Sequence, residues 1–293
     1  MKVAVAKYPI QAPADFAAFA ERQAAMLGEA AAQGARVAVL PEYLSLELAA
    51  TFDASTQADL HAALIAIQRH RDDWLALYAR LAASLDMYVV AGTFLLAHDD
   101  GRYRNRCDVF APQGMHLWQD KLQLTGFEKG LGVIEGGDAL KVFDLDGVRT
   151  GVAVCYDSEF PLPVRAQAEA GARLLLVPSC TDTDAGAPRV RVGCLARALE
   201  NRLFVAQSVT AGEAPWSPAL DINTGEAAIF APMDRGLPAD GVVAQTTGDQ
   251  VWVIAELDLD ALDRSRADAQ VANDRDWMVQ LKPALARAKL QAW

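Results

Sequence analysis

The chain has 293 residues, of which 52% are hydrophobic and 22% charged, the balance of a globular protein with a sizeable core. Its formal net charge of −11 argues against a nucleic-acid partner, which demands a basic face. The four cysteines, Cys107, Cys155, Cys180 and Cys194, are scattered with no Cys-x-x-Cys spacing, so neither a disulfide framework nor a metal site is expected.

Residues 2–8 alternate as a strand and lack the long apolar core of a signal peptide. The longest apolar stretch, over residues 87–97, is too short to span a bilayer, and the expectation is a cytoplasmic protein with no membrane partner. An alanine-rich helix is predicted over residues 14–33, ended by Gly34, then a short buried strand over 36–40 that runs into Pro41-Glu42. The helical spacing of Leu60, Leu64, Ile67, Trp74, Leu75 and Tyr78 predicts one long helix over 56–84.

Strands follow at 88–96, 107–111 and 115–120, with turns at Asp99-Asp100-Gly101 and Pro112-Gln113-Gly114. Strands at 140–144 and 148–154 flank Asp146-Gly147, and Cys155 ends the second of them. A helix over 163–170 starts on proline and closes at Gly171. It precedes a buried strand at 174–177, a helix at 188–201 and strands at 203–209, 227–230, 242–246 and 251–257.

The chain thus has two similar halves, each a strand, an amphipathic helix and a short buried strand followed by hairpins. Two mixed β-sheets packed face to face with helices outside would bury all of these elements, so the expected class is α/β, a four-layer α-β-β-α sandwich. One domain is expected over residues 1–260, followed by a helical tail over 261–293. The tail's apolar residues Trp277, Met278, Leu281, Leu285, Leu290 and Trp293 suit either an oligomerisation arm or packing on its own domain.

Three chemically distinct groups each end an apolar run: Glu42 in Leu-Pro-Glu-Tyr, Lys121 in Gln-Asp-Lys-Leu-Gln-Leu and Cys155 in Val-Cys-Tyr-Asp-Ser-Glu-Phe-Pro. Side chains at the carboxyl ends of buried strands sit where α/β proteins build active sites. A thiol needs a base to become a nucleophile. Glu42 would take its proton and later activate water, Lys121 would sit beside the developing oxyanion, and the backbone N–H of Tyr156 would be a second oxyanion donor. Singly, a strand cysteine is core filler and the other two are loop charges. Their joint occurrence at three strand ends favours chemistry.

These motifs resemble those of the nitrilase superfamily, the carbon–nitrogen hydrolases. Further matches are Arg197-Ala198-Leu199-Glu200-Asn201, Pro232-Met233-Asp234 and Asp240-Gly241-Val242, and the resemblance covers nearly the whole chain. It implies a Glu-Lys-Cys triad of Glu42, Lys121 and Cys155 on a sandwich of the nitrilase type, without a cofactor. It also implies a second glutamate after the lysine, Glu128, with Glu135 as the alternative. The segment after the second buried strand, Cys180, Thr181 and Asp182, would line the substrate pocket, with Cys180 as wall rather than nucleophile. Asp157, Glu159, Asp182 and Asp184 are candidates for selecting a cationic group, against a reading as solvated or structural acids. Arg189 and Arg191 would neutralise them or bind a substrate carboxylate, and Arg197 with Glu200 forms a structural pair one helical turn apart.

The resulting expectation is an amidase-like hydrolase of small molecules, forming a thioester and releasing ammonia or an amine, in a homodimer or larger homo-oligomer. A nitrilase or N-carbamoyl hydrolase would use the same triad, and a catalytically silent scaffold is the alternative of a different class. A Cys-His hydrolase is disfavoured, because His61, His70, His98 and His116 fall at helix, turn or hairpin positions.

Overall fold

The computed structural model describes residues 1–290. Strand β1 (Lys2–Pro9), helix α1 (Phe16–Ala32) and strand β2 (Val37–Val39) open the first half. Helices α2 (Ala54–Ala58), α3 (Leu60–Ile67) and α4 (Arg71–Ser84) follow, then strands β3 (Tyr88–Ala97), β4 (Tyr103–Phe110) and β5 (His116–Asp120). A short helix α5 (Gly126–Leu131) and strand β6 (Ile134–Glu135) lead into the hairpin β7 (Val142–Leu145) and β8 (Val148–Val152). The second half continues with α6 (Pro161–Glu169), β9 (Leu174–Ser179), α7 (Gly186–Asn201), β10 (Phe204–Glu213) and β11 (Ile222–Asn223). Strands β12 (Ala228–Phe230), β13 (Val242–Gln245) and β14 (Trp252–Glu256) precede helices α8 (Leu259–Ala267) and α9 (Asn273–Asp276).

One sheet runs in the order β5-β4-β3-β2-β1-β14, the other β7-β8-β9-β10-β12-β13. In each, parallel pairs form the middle and antiparallel pairs the edges, so both are mixed. The sheets join where β1 and β10 run parallel at their ends, Lys7 opposite Val209 and Pro9 opposite Ala211.

Alternation along the strands separates the layers. Val3, Val5, Val37, Val39 and Val90 join the cluster that also holds Leu174, Leu176, Val205 and Phe230 of the other sheet. Their neighbours Ala4, Ala6, Ala38 and Val89 turn to the opposite face and meet Phe19, Leu27, Trp74 and Tyr78 of α1 and α4. Helices α6 and α7 cover the second sheet through Val164, Val190, Cys194 and Ala198. Helix, sheet, sheet and helix layers therefore stack as the sequence implied. Each fully buried aliphatic or aromatic side chain contributes about 1.5–3 kcal/mol to holding them together.

Two local expectations are corrected. The helix foreseen over 56–84 is three helices, because Asp59 caps a new start by accepting the N–H of Ala62 and a 3-10 turn over Gln68–His70 separates α3 from α4. Its apolar spacing survives the break, which is why periodicity alone missed it. Cys155 also does not end a strand. Pairing in β8 stops at Val152, and Cys155 lies three residues on, with φ +48°, opening a short 3-10 turn over Cys155–Glu159.

Residue 260 falls inside α8, which is tied to the body by Leu262 and by buried Arg202, whose guanidinium donates to the Ser265 carbonyl at 2.7 Å and pairs with Asp234 at 2.7 Å. Beyond it, Met278, Leu281, Leu285 and Leu290 are exposed, while Trp293 lies outside the described residues. Among the described residues no helix is long and apolar enough to cross a membrane.

Candidate active site

Four segments deliver the site. The chain leaves β2 at Val39 and passes through Leu40 and Pro41 to Glu42, leaves β5 directly into Lys121, leaves β8 into the Cys155 turn, and leaves β9 into Cys180. A bulge in β3 shapes the first of these. Gly92 has φ +68°, and a Cβ there would lie 2.1 Å from the Pro41 carbonyl oxygen. Only glycine lets the loop carrying Glu42 come so near the sheet. Tyr43 follows in a left-handed conformation, φ 61°, with its N–H donated to Thr93 Oγ1 at 2.8 Å.

Lys121 is buried between two carboxylates, with Nζ donating to Glu42 Oε1 at 2.8 Å and to Glu128 Oε2 at 2.7 Å. Glu128 is held by the capping box of α5: its Oε2 accepts the N–H of Thr125 at 2.9 Å, and Thr125 Oγ1 accepts the Glu128 N–H at 3.3 Å. Glu42 Oε2 accepts the backbone N–H of Cys180 at 3.2 Å. The Cys155 thiol lies 3.5 Å from the Cys180 carbonyl oxygen. Glu135 lies elsewhere, paired with Arg104 at 2.9 Å.

Burial disfavours the charge on Lys121, yet Glu42 and Glu128 outweigh it and hold the amine above its ordinary range. Burial pushes the Glu42 carboxyl up, Lys121 opposes this and Glu128 adds to it. Glu128 is also buried, but Lys121 and its hydrogen bonds keep it below the usual value. The Cys155 thiol is pushed well up, first by burial and then by Glu42, with Lys121 opposing. The surroundings of Cys155 therefore favour its thiol over its thiolate.

Glu42, Lys121, Cys155, Tyr156, Cys180, Thr181 and Asp182 all line one cavity of about 170 Å³. Its apolar wall includes Tyr43, Phe127 and Val190, and its charged rim Glu159, Asp182, Asp221 and Arg189, with Arg189 3.5 Å from Glu159. Asp184 and Arg191 do not line it, and no histidine does. Asp157 is buried and turned away from solvent, accepting backbone N–H groups from Leu122, Gln123 and Val154. Arg197 and Glu200 pair at 2.7 Å.

One residue at the centre carries no signal that the motifs expose. Asn105, on β4, donates from Nδ2 to Glu42 Oε1 at 2.8 Å and to Glu128 Oε1 at 3.2 Å. The only hint in sequence is a lone amide between Arg104 and Arg106, which pair with Glu135, Asp138 and Asp120.

The layers and strand-end pocket define a four-layer α/β sandwich. The chain belongs to the carbon-nitrogen hydrolase family, whose sequence pattern it matches over residues 2–266, and the resemblance to the nitrilase superfamily is borne out. It is 29% identical over 280 residues to a Bacillus subtilis protein described as probable hydrolase YhcX, a stretch that is 94% of this chain. The chain spans about half of that relative's length, 53%. It is 25% identical over 266 residues to the omega-amidase NIT2-A of Xenopus laevis, covering 87% of this chain and 88% of the relative. Its fold is similar to that of Nit3 of Saccharomyces cerevisiae, with a TM-score of 0.74 at 20% identity, covering 94% of this chain and 96% of that one.

Proposed function

We propose that this carbon-nitrogen hydrolase cleaves a small amide through a thioester on Cys155, releasing ammonia or an amine, without a cofactor. The observation that carries the reading is the buried Glu42–Lys121–Glu128 array, of which Glu42 and Lys121 line the same cavity as the Cys155 thiol. Because burial pushes the thiol up, the reaction calls for a base at the moment of attack, and Glu42 is the carboxylate in the cavity that burial pushes up as well.

As the Cys155 S–C bond forms, the thiol proton passes to Glu42 and the carbonyl π electrons move to oxygen. Lys121 and the Tyr156 backbone N–H stabilise that oxyanion. Collapse breaks the C–N bond as Glu42 protonates the departing nitrogen. Water, losing a proton to Glu42, then attacks the thioester. The acid leaves and that proton restores the Cys155 thiol. Glu128 keeps Lys121 charged and in place. Similarity to an omega-amidase supports an amide over a nitrile. The exposed apolar residues Met278, Leu281 and Leu285 support self-association.

A panel of small amides, N-carbamoyl compounds and nitriles, followed by ammonia release, tests the reading. Amides are expected to turn over, Cys155→Ala to abolish turnover and Cys180→Ala to retain it. Mass spectrometry is expected to find an acyl adduct on Cys155 that accumulates in Glu42→Gln. Full activity in Cys155→Ala would overturn the mechanism, and turnover of nitriles alone would overturn the substrate class.

A further inference from the structure

We infer that Asn105 is a positioning residue that divides the work of the two Glu42 oxygens, fixing Oε1 so that Oε2 alone carries the proton. The inference rests on the hydrolytic reading above. Asn105 is 1% exposed and bonds to all three residues of the array, to the two glutamates through its side chain and to Lys121 through its main chain. Its two Nδ2 hydrogens serve Glu42 Oε1 at 2.8 Å and Glu128 Oε1 at 3.2 Å, and its backbone oxygen accepts the N–H of Lys121 at 2.9 Å.

Glu42 Oε1 therefore accepts from both Lys121 Nζ and Asn105 Nδ2, each at 2.8 Å, which occupies both of its lone-pair directions. Among the described residues Oε2 has one longer partner, the Cys180 N–H at 3.2 Å, which leaves a lone pair for the proton. A proton taken from Cys155 and returned to a leaving nitrogen thus has one place to go.

Packing does not account for the amide. Its Oδ1 is buried with no hydrogen-bond partner among the described residues, a cost that a leucine of similar size would avoid. The residue's donor is used while its acceptor is wasted. The orientation follows from charge, since turning the amide over would set Oδ1 against two carboxylates.

Without this donor, Oε1 competes for the proton, and Glu42 loses a hydrogen bond that favours its charged form, so its basicity rises. The test uses Asn105→Leu and Asn105→Ala in the full chain, with folding checked by circular dichroism and melting temperature. In either variant that folds, kcat is expected to drop about tenfold or more and KM to move less than about threefold. The acid limb of the rate profile is expected to move up by about one pH unit, the worth of one charge-assisted bond. The protonated-carboxyl infrared band of Glu42, assigned by its loss in Glu42→Gln, reports the same shift without turnover. A rate loss with an unmoved limb, or an unmoved Glu42 titration, would overturn the inference. If the unaltered protein cleaves no amide, the hydrolytic reading fails separately, and the infrared titration still decides the role of Asn105.

Discussion

Asp157 accepts the backbone N–H of Gln123 at 2.7 Å, fastening the turn that begins at Cys155 to the loop that follows Lys121. The same carboxylate takes the N–H of Leu122 at 3.1 Å and of Val154 at 3.1 Å. The Cys155 turn and the Lys121 loop are thereby one unit, although they follow strands of different sheets. Asp157→Ala strands three backbone donors, two of them beside the site. The expected loss is about 3 kcal/mol or more in urea unfolding, with a fall in kcat as Cys155 and Lys121 lose register. An unchanged unfolding midpoint would show that the three bonds carry no net stability.

The pH dependence follows from Glu42. Burial lifts its carboxyl above the ordinary value of about 4.3. In the proposed reaction Glu42 works as a base only when deprotonated, so kcat/KM is expected to fall as pH drops through that raised value, with an acid limb above the usual glutamate range. The thiol, pushed up by burial, adds no limb near neutrality. Glu42→Gln is expected to lower kcat by about 10²-fold or more and to abolish the limb. A limb at the ordinary glutamate position would contradict the buried geometry.

Gly92→Ala tests how Glu42 is placed. A Cβ would strike the Pro41 oxygen, and the left-handed backbone adds strain. The melting temperature is expected to fall, and activity to fall further than the folded fraction explains, because the displaced segment carries Glu42.

Asp108, which does not line the cavity, is expected to set part of the acid stability. Although buried, its carboxyl is held below the usual range by hydrogen bonds from His116 and Arg71. A carboxyl with a depressed folded value stabilises fully above its unfolded value, about 3.9, and loses that contribution as pH falls through the lower folded value. Asp108→Asn is expected to lower stability at neutral pH and to flatten the further loss below about pH 4 in acid titration of the unfolding midpoint. An acid slope identical to the parent would remove Asp108 from that role.

The sequence made the sandwich visible because its strands are short apolar runs bounded by turn residues, and made Glu42, Lys121 and Cys155 visible because each run breaks abruptly into a charge or a thiol. It concealed what depends on single contacts. The restart at Asp59 lies within unbroken helical spacing. The end of β8 is hidden because Ala153 and Val154 stay buried after pairing stops. Asp157 reads as one more acid near the site until its three backbone donors are seen. Asn105 has no pattern to betray it, since its meaning is set by residues on three other segments.

Cys180 meets the site with its main chain: its N–H holds Glu42 and its carbonyl faces the Cys155 sulfur. Its side chain is left to the wall, where its sulfur lies 3.5 Å from Asn223 Oδ1. Main-chain groups are the same for every amino acid except proline. The position can therefore exchange its side chain, and with it the shape of the cavity wall, while the grip on Glu42 and Cys155 is inherited unchanged. Under the proposed function, selectivity can drift there without the chemistry being rebuilt.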